Sequence, residues 1–113
     1  MQYLCLGYYA PDAYDRMTAD ERKALGARCA VHDEKFIATG SVRDVASLEH
    51  SVGAHIRPGP NGQTVTDGPF AETRETLGGS YLIDCKDLDQ ALSLAAKVPS
   101  AEVGSIEVRP VAE

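Results

Sequence analysis

From Gln2 to Tyr8 apolar side chains fill both alternating sets of positions, Leu4, Leu6 and Tyr8 on one and Tyr3 and Cys5 on the other. A strand patterned this way has cover on both faces. Pro11 ends it, and Thr18-Ala19-Asp20-Glu21 matches a capping box, predicting a helix that runs to about Thr39 with Gly40 as its stop. Leu25, Cys29, His32 and Phe36 fall on one stripe of that helix, so His32 points with the apolar residues toward a sheet.

The middle of the chain is less regular. Ser41 to Leu48 and Val52 to Arg57 are moderately strand-like, Pro58-Gly59-Pro60-Asn61-Gly62 is a turn, and Gln63 to Thr66 is the return arm of a hairpin. Gly79 to Cys85 alternates as a strand again. A second helix follows, with Asp87 as N-cap, Gln90 three residues on, an apolar face of Leu88, Ala91, Leu92 and Ala95, and Pro99 to end it. Ser105 to Arg109 is the last strand. The order describes one α+β domain over residues 1–113: a ferredoxin-like antiparallel sheet with two helices on one face and an extra β-hairpin.

Two helices cover one face of such a sheet, while the other still carries apolar side chains of the first strand. Face-to-face pairing with an identical chain removes that patch from water, which predicts a C2 homodimer. Composition narrows the function classes. Eleven Lys and Arg against 17 Asp and Glu give a net charge of −6, with basic residues scattered, so no nucleic-acid partner is expected. The N-terminus lacks a cationic lead-in, and no apolar run approaches the roughly 18 residues of a membrane span, so the expectation is a cytoplasmic protein without a membrane partner. Cys5, Cys29 and Cys85 are widely spaced and read as reduced, buried thiols.

Candidate chemistry gathers in two places. His32 is either a general base desolvated between helix and sheet or a core histidine with satisfied nitrogens. His50 and His55 read as solvated, and the three histidines lack ligand spacing, so no metal is expected. Asp67, Glu72, Arg74 and Glu75 cluster within nine residues around Gly68-Pro69-Phe70. There they set paired carboxylates and a guanidinium at a pocket mouth, or Asp67 locks a turn while Phe70 plugs the core or a dimer seam. Tyr8, Tyr81 and Arg109, on central strands, are candidates to line a cavity and orient a small polar ligand. Gly78-Gly79 precedes a strand instead of opening a helix, so no nucleotide cofactor is expected.

Joined to Leu77-Gly78-Gly79-Ser80-Tyr81-Leu82-Ile83, to Asp87-Leu88-Asp89-Gln90-Ala91-Leu92 and to Gly104-Ser105-Ile106-Glu107-Val108-Arg109, the run Asp67-Gly68-Pro69-Phe70-Ala71-Glu72-Thr73-Arg74-Glu75 resembles YCII-related proteins of the DGPF subgroup. The resemblance implies a dimeric α+β barrel, in a superfamily of small monooxygenases, isomerases and dehalogenases. Wider YCII relatives carry a helix histidine and a following strand aspartate as a suggested catalytic pair. Counted back from the helix end, that histidine falls nearer Cys29 than His32, and Asp44 is the one aspartate in the segment after the helix. Two functions follow as expectations. One is a homodimer that binds or transforms a small organic molecule, with His32, Asp67 and Glu72 as catalytic candidates and Tyr8, Phe70, Arg74, Tyr81 and Arg109 around the ligand. The other is a non-catalytic regulatory module, linked through the resemblance to extracytoplasmic-function sigma factors.

Overall fold

A computed structural model describes residues 1–50, 52–67 and 75–112, with the side chains of Thr66 and Asp67 outside that description. The elements are β1 (Gln2–Tyr9), α1 (Ala13–Arg16), α2 (Ala19–Ala38), β2 (Val42–Ser47), β3 (Ala54–Gly59), β4 (Gly62–Asp67), β5 (Thr76–Asp84), α3 (Leu88–Ala95), a 3-10 turn at Pro99–Val103 and β6 (Gly104–Pro110). β2, β5, β1 and β6 form one antiparallel sheet in that spatial order. α2 therefore links β1 to β2 with β5 inserted between them, and α3 links β5 to β6 with β1 inserted. These two interleaved units make the ferredoxin-like α+β plan.

Local chemistry starts the two long helices as expected, whereas α3 ends at Ala95, ahead of Pro99, which instead opens the 3-10 turn. The Thr18 hydroxyl accepts from the Glu21 amide at 3.1 Å while the Glu21 carboxylate accepts from the Thr18 amide at 3.0 Å, closing the capping box. Asp87 caps α3 by accepting from the Gln90 amide at 2.9 Å. The short α1 was not expected. Asp12 turns the chain into it from β1 at φ 61°, a left-handed conformation that aspartate tolerates better than most residues.

Register decides which strand residues meet the helices. Tyr3 pairs with Ile83 and Cys5 with Tyr81, so these four share a face. Phe36 from α2 and Ala91 and Ala95 from α3 close over them, leaving Ile83 fully buried and Cys5 1% exposed. Burying a side chain the size of Ile83 or Phe36 stabilises by roughly 1.5–3 kcal/mol. Burial, and after it Cys85 nearby, pushes the Cys5 thiol up to about 11, so it packs as a neutral hydrophobe.

Leu4, Leu6 and Tyr8 occupy the opposite face, with Leu82 beside Leu4 and with Glu107 and Arg109 on the neighbouring strand. Among the described residues no helix covers them, and they are half-buried. The β3–β4 hairpin forms a separate two-stranded sheet in which Ile56 pairs with Val65, both more than 60% exposed. Gly62 follows the turn at φ 110°, where a side chain would be strained. The hairpin extends the outline: the radius of gyration is 15.7 Å, against about 13 Å for a compact chain of this length. Among the described residues no helix is long and apolar enough to cross a membrane.

Candidate functional site

A cleft lies between the middle turns of α2 and the sheet. Its narrow end is a recess of about 80 Å³ between Cys29 and Asp33 of α2, Tyr81 of β5, Ser100 and the paired strands at Gly78 and Gly79. A wider cavity of about 480 Å³ adjoins it, lined by Tyr9, Tyr14, Arg22, Leu48, Glu49 and His50 among others. Tyr9, Cys29, Asp33, Ser47 and Gly78 border both, so the two share these walls.

A glycine makes the room. A Cβ on Gly78 would lie 2.5 Å from Cε2 of the Tyr9 ring, so only glycine lets that ring lie across β5 and form the wall of the cleft. The Gly78-Gly79 pair serves shape here.

The most concentrated polar chemistry is at Asp33. Its Oδ1 accepts a 2.5 Å hydrogen bond from the Tyr81 hydroxyl and lies 3.0 Å from His32 Nδ1. A carboxylate only accepts, so the proton of the second contact belongs on Nδ1. The Asp33 side chain is 25% exposed and that of His32 15%. Oδ2 has no hydrogen-bond partner among the described residues, and Asp33 borders both cavities. Burial, followed by the Asp33 hydrogen bond and charge, pushes the Tyr81 phenol far up, so Tyr81 is a locked donor. The Cys29 thiol, raised first by burial and then by Asp33, stays protonated.

Each anticipated residue has a definite place or lies outside the description. His32 is on the buried stripe, its ring 5.2 Å from Phe36 and 6.2 Å from Tyr81, but it borders a shallow groove on the other flank of α2 and reaches the cleft through Asp33. Tyr81 faces the recess. Tyr8 also borders the recess, yet its hydroxyl donates to Glu107 at 3.3 Å on the uncovered sheet face, where Arg109 also stands. Phe70, Glu72 and Arg74 lie outside the described residues, as does the Asp67 side chain; Glu75 accepts from the Ser105 hydroxyl at 2.7 Å. Asp44 pairs with Leu82, on the face away from the cleft, and accepts from the Val45 amide at 3.0 Å.

Two cleft residues were missed or misread. Asp33 follows Leu25 and Cys29 at steps of four, a row that places it over the sheet, yet a carboxylate beside an apolar stripe reads as solvated. His50 was expected in solvent and is instead stacked on Tyr14 with ring centroids 4.2 Å apart, its side chain 23% exposed. The reason is α1, which brings the Tyr14 ring against it. Among the described residues no group of three His, Cys, Asp or Glu is placed to hold a metal ion.

Comparison with known proteins agrees with this architecture. A family model described as the YCII-related domain matches residues 1–113. An uncharacterized protein of Rhizobium meliloti (strain 1021) is 36% identical over 115 residues, covering 99% of this chain and 93% of the relative. Among solved structures, 5-chloro-2-hydroxyhydroquinone dehydrochlorinase from Burkholderia phenoliruptrix AC1100, in complex with 2,5-dihydroxybenzoquinone, superimposes with a TM-score of 0.58 at 12% identity, covering 100% of this chain and 95% of that one. At that identity the likeness is one of fold.

Proposed function

The chain belongs to the YCII-related domain family, and from that premise we propose that it binds and transforms a small planar organic molecule in the cleft between α2 and the sheet. The observation that carries the reading is Asp33. It is a part-buried carboxylate with one oxygen fixed by Tyr81 and His32, and it borders both cavities of the cleft. Such a group takes a hydrogen bond or a proton from a ligand hydroxyl without moving, because its donors are already in place. Tyr81 and His32 act through it as positioning residues. The walls, Tyr9 among them, offer aromatic surface to a flat ring. A phenol or quinone is the substrate class this lining favours, and the similar fold that holds a dihydroxybenzoquinone supports it.

Two finer assignments accompany the proposal. The run from Asp67 to Glu75 supports membership of the DGPF subgroup. The uncovered face bearing Leu4, Leu6 and Leu82 supports a homodimer in which two sheets pack face to face.

Thermal shift against a panel of small phenols and hydroxyquinones tests the site. A ligand present at a hundred times its Kd adds about 2.7 kcal/mol to native stability. The expected result is a rise in Tm for the wild-type protein and none for Asp33→Asn at the same ligand concentration. Equal rises in both proteins would remove Asp33 from the site.

A further inference from the structure

Arg22, half-buried in the first turn of α2, ties that helix to α1 and keeps part of its guanidinium unused. Nε donates to the Tyr14 carbonyl at 3.0 Å and Nη2 to the Asp15 carbonyl at 3.4 Å, and Cζ stands 4.4 Å over the Tyr14 ring. Those bonds occupy the edge between Nε and Nη2. The edge between Nη1 and Nη2 keeps two parallel N–H donors, the fork that fits a carboxylate. Among the described residues no carboxylate lies within 4.0 Å of this guanidinium, whereas Arg16, Arg28 and Arg43 each have one. Arg22 borders the wide cavity, and Asp33 borders it eleven positions on, about 16 Å along the axis at about 1.5 Å per residue. Eleven residues are close to three full turns, so Arg22, Gly26, Cys29 and Asp33 form one row, and all four border the cavity. Gly26 keeps the middle of that row bare. A Cβ there would meet nothing within 4 Å beyond its chain neighbours and the helix backbone, and alanine would favour the helix, so packing does not call for the glycine. Glu49 and His50 also border the cavity, and among the described residues Arg22 is the one Lys or Arg on its wall.

We propose that Arg22 is the outer anchor of the cleft and binds a carboxylate of the ligand, which makes the substrate a phenol carrying a carboxylic acid on a short chain. The inference rests on Asp33 as the inner anchor for the phenol hydroxyl. A span of about three helical turns exceeds one aromatic ring, so the acid stands off the ring by a few atoms. The carboxylate takes the free edge of the guanidinium while the other edge stays on the α1 carbonyls, so the anchor is held in place before the ligand arrives.

Three probes separate the two anchors: 3-(4-hydroxyphenyl)propionate with both groups, 4-propylphenol with the hydroxyl alone and 3-phenylpropionate with the carboxylate alone, each titrated calorimetrically into wild type, Arg22→Gln and Asp33→Asn. Arg22→Gln is expected to weaken both carboxylates roughly ten- to a hundredfold, the loss of a charge-assisted hydrogen bond, and to leave 4-propylphenol unchanged. Asp33→Asn is expected to weaken the two phenols and spare 3-phenylpropionate. An Arg22 that only ties α1 to α2 would lower the affinity for all three probes together, and that result overturns the proposal. If the phenols depend on Asp33 and no probe depends on Arg22, the inference fails while the reading of Asp33 stands. If the carboxylates depend on Arg22 and no probe depends on Asp33, the reading of Asp33 fails and Arg22 stands as a carboxylate site. If none of the three binds, both fail. Should Arg22→Gln not fold, the guanidinium ¹⁵N resonances of Arg22 in the wild type decide. A shift with 3-(4-hydroxyphenyl)propionate and none with 4-propylphenol supports the proposal, and no shift, or the same shift with both, overturns it.

Discussion

Tyr81→Phe isolates one hydrogen bond and leaves the ring in place. The phenol donates to Asp33 Oδ1 at 2.5 Å, and hydrogen bonds to charged groups contribute about 1.5–3 kcal/mol each. With the Asp33 side chain 25% exposed, water replaces part of what is lost, so the lower half of that range applies and about 1.5–2 kcal/mol is the expected cost. For 113 residues the unfolding entropy near Tm makes 1 kcal/mol worth about 4 °C. Calorimetry at pH 7 should show a Tm lower by about 6–8 °C.

The pH dependence supplies a second, independent reading of the same bond. Tyr81 has its pKa raised in the folded protein, so the stability it contributes is complete below the unfolded value of about 10 and is lost as pH rises past it toward the folded value. Above pH 10 the unfolded wild type is favoured by about 1.4 kcal/mol per pH unit through this one group. The Phe variant has no such group, and every other titration, that of Cys5 included, is common to both proteins and cancels. The gap between them should therefore shrink to below about 1 kcal/mol by pH 11. A Tm difference under 2 °C at pH 7, or a gap that stays constant to pH 11, would refute the account of Asp33 as held by Tyr81.

Gly78→Ala should displace the Tyr9 ring, destabilise by about 1–3 kcal/mol through overpacking, and abolish binding of any ligand that Asp33→Asn weakens; an unchanged melting curve with unchanged binding counts against the cleft. Iodoacetamide should alkylate Cys29 before Cys5 and Cys85 in the native protein, slowly at pH 7 because its thiol is raised, and bound ligand should protect it; mass spectrometry of the labelled peptides reads the order. Leu6→Lys puts a charge at the centre of the uncovered face beside Glu107. Sedimentation equilibrium should then report a species of 12.1 kDa where the wild type reports twice that mass, and a wild type of 12.1 kDa at micromolar concentration would end the dimer proposal.

The fold was legible because its signals are local or periodic. A capping box at Thr18, an aspartate cap at Asp87 and apolar spacing on both helices each act within one or two turns, and the strand order follows once the elements are known. α1 escaped because four residues span barely one turn and carry no repeat, and its start depends on a single backbone conformation at Asp12. That omission accounts for the misreading of His50, since the Tyr14 ring stacked on it comes from α1.

The site was less legible for a physical reason: its chemistry depends on residues far apart in the chain meeting at one oxygen. Asp33 becomes special when Tyr81, 48 residues on, reaches it from β5, and no spacing along α2 announces that contact. His32 was singled out for lying on the stripe, and Asp33, the next residue, is the one that borders the cleft. The conspicuous run of glycines and acids contributes at its far end in another way. Gly78 gives up its side chain so that Tyr9 can wall the cavity, a requirement set by a strand that begins 76 positions earlier. Where a sheet edge, a helix and an inserted turn converge, the residues that shape the space are read from geometry, and the group we assign to act in it is the carboxylate that Tyr81 and His32 hold there, Asp33.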